Sequence, residues 1–190
     1  MHTVRIRDMT ADDIDAVAAI RVRGWQTAYA GLMPQTYLDG LSAAEEAGRR
    51  RAFFAAAPPE VVDLVAERDG GLVGWAVFGP ARLPGGSPPS TSEGELYALY
   101  LPPEQIGTGV GRALLDACLL RAARNGFRTL SLWAVKGNAR ARRFYERAGF
   151  LADGAEDTSD VAGTAVPEVR YRRTLAPPAP GRRPRPAPGP

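Results

Sequence analysis

The sequence predicts a mixed α/β (α+β) domain, and three observations carry that reading. Apolar runs of strand length recur along the chain. Segments with helical periodicity stand between them, and Gly or Pro punctuates most junctions. The resulting order is βα(α)βββαβαββ. With 190 residues the chain is long enough for one domain with a full hydrophobic core. The expected boundaries are a folded domain over 1–175 and a disordered Pro/Arg-rich tail over 176–190.

Thr3 to Asp8 alternates Val4 and Ile6 with Arg5 and Arg7, as a half-buried strand does. Thr10-Ala-Asp-Asp13 resembles a capping box with Asp in place of Glu. It opens a helix carrying Ile14, Val17 and Ile20, which Gly24 is expected to end or bend. Trp25 to Leu41, broken by Gly31, Pro34 and Gly40, reads as a loop with a short helix. Ser42 caps a further helix through Ala57, and Pro58-Pro59 stops it. Val61–Glu67 and Leu72–Phe78 are strands joined by an Asp69-Gly70-Gly71 hairpin turn. Arg82 to Ser92 reads as a mobile Gly/Pro/Ser loop.

Glu93 to Leu101 is a strong strand ended by Pro102-Pro103. Thr108 to Asn125 is a helix with Val110, Leu114, Ala117 and Leu120 on its apolar face, and Gly126 closes it. Thr129–Val135 is a strand. Asn138–Ala148 is a helix with Ala141, Phe144, Tyr145 and Ala148 on one face, and Gly149 closes it. Phe150–Ala152 and Glu168–Leu175 are last strands, separated by an acidic loop. From Pro177 the chain carries seven prolines and no large apolar residue, as a disordered or polyproline segment does.

Composition removes several classes of function. The net charge is +3, from 24 basic and 21 acidic residues. Residues 176–190 hold three of the arginines and no acid, so the rest is balanced and no nucleic-acid surface is required. The one His is His2, which argues against a His-dependent relay or a His-ligated metal. The one Cys, Cys118, allows no internal disulfide and fits a reducing compartment. The chain shows no signal-peptide pattern and no apolar run near the roughly 18 residues of a membrane span. The expected location is therefore the cytoplasm, with no metal and no membrane contact.

The chemistry lies in Gln105-Ile-Gly-Thr-Gly-Val-Gly-Arg-Ala-Leu-Leu115, where a glycine-rich turn passes from a strand directly into a helix. Such a turn lets the backbone approach a ligand, and the free N–H groups at the helix start attract an anion. Gly107, Gly109 and Gly111 give GxGxG rather than GxGxxG, and no Gly-Lys-Ser/Thr follows. Dinucleotide and nucleoside-triphosphate sites therefore fit poorly. The second element is Asn138-Ala-Arg-Ala-Arg-Arg-Phe-Tyr-Glu-Arg-Ala-Gly-Phe150, which follows a strand and opens a helix.

Together, in this order and spacing, the two elements resemble the GNAT superfamily of N-acetyltransferases. The resemblance implies the GNAT fold, a central, mostly antiparallel twisted sheet flanked by helices, with acetyl-CoA as co-substrate. It implies that the backbone of Gly107, Thr108, Gly109, Val110, Gly111 and Arg112 holds the pyrophosphate. Leu99-Tyr100-Leu101 would pair with the pantetheine arm as an added strand and polarise the thioester carbonyl. Asn138 would bond the pantetheine or cap the last helix, and Tyr145 would protonate the departing thiolate. Arg140, Arg142 and Arg143 could meet the 3′-phosphate or form a solvated helix face. Many family members carry Arg or Gln where this chain has Ile106, which removes a side-chain contact but leaves the backbone cradle.

A base near the amine would assist transfer. Glu95 is the candidate, with Glu93 as alternate on the same strand face, and water could serve instead. The acceptor pocket is expected between the early helices, with Trp25, Tyr29 and Tyr37, and the last loop, with Asp153, Glu156, Asp157 and Asp160. Aromatics and acids together suit a cationic amine, although all of them could equally pack helices or face solvent. Cys118 lies mid-helix, so direct transfer is expected. The reading is acetyl transfer from acetyl-CoA to a primary amine of a small molecule such as a polyamine, an amino acid or an antibiotic-like amine. The competing readings are a non-catalytic acyl-CoA-binding module and a protein N-terminal or lysine acetyltransferase. Exposed strand edges make a homodimer an open expectation.

Overall fold

A computed structural model describes residues 3–82 and 91–176. His2, most of the expected Arg82–Ser92 loop and the tail from Pro177 lie outside the described residues. One seven-stranded sheet runs through the molecule in the order β1-β2-β3-β4-β5-β7-β6. Its strands are β1 (Arg5–Asp8), β2 (Val62–Arg68), β3 (Gly71–Pro80), β4 (Glu93–Tyr100), β5 (Thr129–Val135), β6 (Leu151–Val161) and β7 (Thr164–Thr174). The helices are α1 (Ile14–Ala28), α2 (Gln35–Asp39), α3 (Ala43–Ala56), α4 (Val110–Arg124) and α5 (Ala139–Arg147). Neighbouring strands are antiparallel except β4 and β5. This is the order and the mostly antiparallel sheet that the sequence predicts.

Strand alternation gives the sheet two buried faces. On one face Leu64, Ala76, Phe78, Leu96 and Leu132 pack against Leu114, Leu115, Cys118 and Ala122 of α4. Phe144 and Tyr145 of α5 join this layer. On the other face Val65, Trp75 and Val77 pack against Ile14, Val17 and Ala18 of α1 and Ala47 of α3. The expected caps form. The Asp13 carboxylate accepts the Thr10 N–H at 2.8 Å, and Ser42 Oγ accepts the Glu45 N–H at 3.3 Å. Asp69 and Gly70 turn the β2–β3 hairpin with φ of 54° and 77°.

Two expectations are corrected. Gly24 neither ends nor bends the first helix, which continues to Ala28. A Cβ at Gly24 would lie 3.1–3.2 Å from the Tyr100 side chain, so this glycine lets the helix press against β4. The acidic segment after Ala152 is not a loop. It is strand β6, paired with β7 through to a turn at Ala162 and Gly163. Its side chains are almost all exposed, because β6 is the sheet's edge. Edge strands commonly carry charge, which hides them from a reading based on apolar runs. Asp153 to Ala155 bulge out of register, which further disguises the strand.

A part-buried ion-pair network ties the chain's start to the sheet. Arg7 binds Asp13 at 2.7 and 2.8 Å and Glu67 at 2.9 Å. The Arg7 guanidinium holds the Asp13 carboxyl at about 2, below its ordinary 3.8. A depressed folded-state value gives stability that is complete above pH 3.8 and lost as pH falls toward 2. Urea midpoints measured between pH 2 and pH 6 are expected to show this loss, and Asp13→Asn is expected to flatten it while lowering stability at neutral pH.

Candidate active site

β4 and β5 begin as a parallel pair and then part. Only Glu93, Gly94 and Glu95 are paired, with Thr129, Leu130 and Ser131. Beyond them β4 stays on β3 and β5 stays on β7. A β-bulge marks the parting, since Val77 faces Ala98 while Phe78 faces Leu96, leaving Tyr97 as the extra residue. The divergence opens a cleft of about 860 Å³ walled by Leu96–Leu101 and Leu132–Val135. The β4 edge facing it has lost its strand partner, so its backbone groups are open to a ligand lying alongside.

At one end of the cleft stands the glycine turn. Gly107 and Gly109 have φ of 82° and 90°, a conformation that costs glycine little. A Cβ at either would meet nothing within 4 Å, so the surface over the turn is open. Gly111 is different. A Cβ there would lie 3.1 Å from Leu101, which holds α4 close to the strand. The first intrahelical bond of α4 runs from Ala113 N–H to the Gly109 carbonyl, so the N–H groups of Val110, Gly111 and Arg112 have no helical acceptor. Gly107, Gly109, Gly111 and Arg112 line the cleft, with Arg140 and Arg147 nearby on α5. Thr108 does not line it. Its hydroxyl donates to the Gln105 carbonyl at 2.8 Å and holds the turn. Val110 is fully buried and anchors the turn from below.

Across the cleft lie Tyr145 and Asn138. Burial, with Tyr100 and Cys118 nearby, pushes the Tyr145 hydroxyl above its ordinary 10. Its ring meets Phe144 and Phe150 edge-on at 5.1 and 5.9 Å. Asn138 Oδ1 accepts the Ala141 N–H at 3.1 Å, and Nδ2 donates to the Ala28 carbonyl at 3.4 Å. Asn138 therefore caps α5 and ties it to the end of α1. Arg142 donates to the Tyr171 hydroxyl at 2.9 Å and the Lys136 carbonyl at 3.1 Å, so it is bound into the fold.

Toward the other end an aromatic group closes the cleft. Tyr29 and Tyr100 share a hydrogen bond of 3.2 Å and both line it. Burial raises the hydroxyls of both. Trp25 lies one helical turn before Tyr29 and turns toward Tyr37, with centroids 6.2 Å apart, beneath the Arg21 guanidinium. It supports the Tyr29 ring edge-on at 5.1 Å and does not itself line the cleft. Tyr97, Trp133 and Val135 also line this end. Sequence reading missed them because neither the bulge nor the parting of the strands has a residue signature.

The structure places Glu95, the expected base, outside the residues that line the cleft. Glu95 is 3% exposed, and the Arg82 backbone N–H, Nε and Nη2 all bind its carboxylate. Glu93 is ion-paired with Arg172. The acids expected beside the acceptor are engaged as well. Asp153 binds Arg170 at 2.8 Å, Glu156 binds Lys136 at 2.8 and 2.9 Å, and Asp160 accepts the Gly163 N–H at the β6–β7 turn. Among the described residues, those that line the cleft include no carboxylate, imidazole or thiol. Cys118 is fully buried in the α4 layer, and burial pushes its thiol up to about 12. No group of three or more His, Cys, Asp or Glu could hold a metal among the described residues. No helix among them is long and apolar enough to cross a membrane.

A sheet split beside a glycine cradle is the frame of a coenzyme-dependent acyl transferase, and comparison with known proteins agrees. Residues 25–150 match the Acetyltransferase (GNAT) family. The N-acetyltransferase YuaI of Bacillus subtilis (strain 168), itself uncharacterised, is 31% identical over 166 residues, covering 87% of this chain and 90% of that protein. A mycothiol acetyltransferase of Acidimicrobium ferrooxidans is 38% identical over 92 residues, covering 47% of this chain and 28% of that protein. The PaiA N-acetyltransferase of Thermoplasma acidophilum, solved in complex with coenzyme A, superposes with a TM-score of 0.67. It is 18% identical, covering 91% of this chain and 99% of that one. The chain belongs to the GNAT acetyltransferase family. It is an acetyl-CoA-dependent N-acetyltransferase.

A side chain at Gly109 would face both its left-handed backbone and the open surface of the turn. Gly109→Ala is expected to cost about 1 kcal/mol of stability. Calorimetric titration is expected to show coenzyme A binding weakened by at least roughly tenfold.

Proposed function

We propose that this enzyme moves the acetyl group of acetyl-CoA directly onto a primary amine of a small molecule. The observation that carries the reading is the parting of β4 from β5, with the glycine cradle at one end of the opening and aromatic side chains at the other. Acetyl-CoA supplies the activated acetyl group when bound. The N–H groups of Val110, Gly111 and Arg112 hold the diphosphate over the open backbone of Gly107 and Gly109, and Arg140 and Arg147, with Arg112 beside Asp116, add positive charge around it. The free edge of β4 at Leu99–Leu101 binds the pantetheine amides as an added strand would. A backbone N–H on that edge polarises the thioester carbonyl.

With no acid or imidazole among the described residues lining the cleft, the amine sheds its proton to water before it attacks. The new C–N bond forms, the nitrogen gives up its second proton to water, and the C–S bond breaks. The Tyr145 hydroxyl gives its proton to the departing sulfur and recovers one from solvent. Its raised value keeps it protonated throughout the neutral range, as a proton donor must be. The absence of a cleft thiol among the described residues and the sealed position of Cys118 favour this direct route over an acyl-enzyme.

Acetyl-CoA at about a hundred times its dissociation constant is expected to raise Tm by roughly 5–11 °C. No rise at millimolar ligand would overturn the reading. Tyr145→Phe is expected to lower kcat at least roughly tenfold, followed by release of free thiol, with acetyl-CoA affinity retained. Because burial raises the phenol rather than lowering it, wild-type kcat is expected to show no alkaline loss from Tyr145 below pH 10.

A further inference from the structure

The acceptor side of the sheet carries an acid left out of the pairing around it. Val169 and Tyr171 of β7 point into the α4 layer, so Glu168 and Arg170 point to the opposite face. That face also carries Trp133, under the Arg170 guanidinium at 5.6 Å. Of its acids, Glu93 is paired with Arg172, Glu95 with Arg82 and Asp153 with Arg170, while Asp157, opposite Glu168, accepts only the Thr158 N–H at 2.7 Å. Glu168 has no ion pair to any described base and accepts instead from the Ser159 hydroxyl at 2.8 Å. It stands opposite Val135, which lines the cleft. Its charge reaches the Tyr29 and Tyr100 hydroxyls and the Arg82 guanidinium. Its neighbours in the sheet are Val135 on β5, Arg170 on its own strand and Asp157 opposite it on β6, and the charged or titratable groups its charge acts on across the cleft are Tyr29, Tyr100 and Arg82.

The geometry points to Glu168 as the residue that selects the acceptor, by anchoring a positive charge of that acceptor other than its reacting nitrogen. This rests on the transferase reading above. The cleft is polarised, with arginines at the glycine end and Tyr29 and Trp133 at the other, where Glu168, outside the lining itself, stands beside Val135. Rings and a carboxylate not already paired with a base are what an alkylammonium group needs. The anchored nitrogen is not the one that attacks, because an ammonium in an ion pair keeps its proton and has no lone pair to offer. The two sites are also apart. Val135 lies three residues, roughly 10 Å, beyond Leu132, where β5 has just left β4. The acceptor class is thus a primary amine with a second cationic group, such as an α,ω-diamine.

The test is calorimetric titration of 1,4-diaminobutane, 1-aminobutane and 4-aminobutanoate into protein saturated with coenzyme A. Binding is read directly, whatever the turnover. The diamine is expected to bind roughly tenfold or more tightly than the monoamine, and the amino acid most weakly. Glu168→Gln is expected to bring the diamine down to the monoamine, and Glu168→Lys to favour 4-aminobutanoate over the diamine. Coenzyme A affinity in both variants serves as the control for folding. Equal binding of diamine and monoamine by the wild type, including no binding of either, overturns the anchor. So does a diamine preference that survives Glu168→Gln. Protein that does not bind coenzyme A at all overturns the transferase reading first, and the anchor with it.

Discussion

Everything about the site follows from two strands that pair for three residues and then separate. Parting costs hydrogen bonds along both inner edges, and a sheet does not give these up without restraint. The restraint is on either side. β4 remains bonded to β3, and β5 remains bonded to β7 over its whole length. Phe144 and Tyr145 of α5 pack on the same α4 layer as Leu99 and Leu101. The backbone groups left over are what an amide-bearing arm can bind. An opening made from unsatisfied backbone needs no particular side chains along β4, which explains why Leu99 and Leu101 can serve as pure packing residues.

The other face supplies rigidity. Trp75 is fully buried and stacks on Tyr100 with ring centroids 6.3 Å apart. Its indole N–H donates to Asp63 at 2.8 Å, and the Arg50 guanidinium lies over its ring at 4.1 Å. Burial pulls the two charges toward their neutral forms, Asp63 up and Arg50 down, so each depends on the other being present. The chain of contacts Arg50, Asp63, Trp75, Tyr100, Tyr29 therefore runs from α3 through the sheet to the cleft. It fixes the aromatic end of the site as firmly as the turn of α4 fixes the glycine end.

Much of this was legible in the residues, and the failures have physical causes. Gly107 and Gly109 announced themselves because a positive φ at a strand–helix junction admits few other residue types. The α5 helix and its Asn138 cap were legible through spacing and residue type, whereas the roles expected of Asn138 and Tyr145 came from the resemblance of their segment to the GNAT family. The partner of Glu95 was not legible, because strand alternation gives a side chain's face but not its partner, and Arg82 sits far enough along the chain to leave no local mark. Gly24 misled because a glycine in a helix can mean a stop or a close neighbour, and Tyr100 is the neighbour. β6 was unreadable because an edge strand needs no apolar side. Glu168 escaped notice for a similar reason: its interest lies in what its neighbours already bind.

The burial of Cys118 has a practical meaning. It is the one sulfhydryl in the chain, and it is sealed beneath α4 at the centre of the larger core. A colorimetric thiol reagent mixed with native enzyme and acetyl-CoA counts product and nothing from the protein. The same reagent without acetyl-CoA is a clock for global opening, since the sulfur is reached only when the α4 layer lifts from the sheet. One atom thus keeps the catalytic read-out free of background and records the lifetime of the folded state.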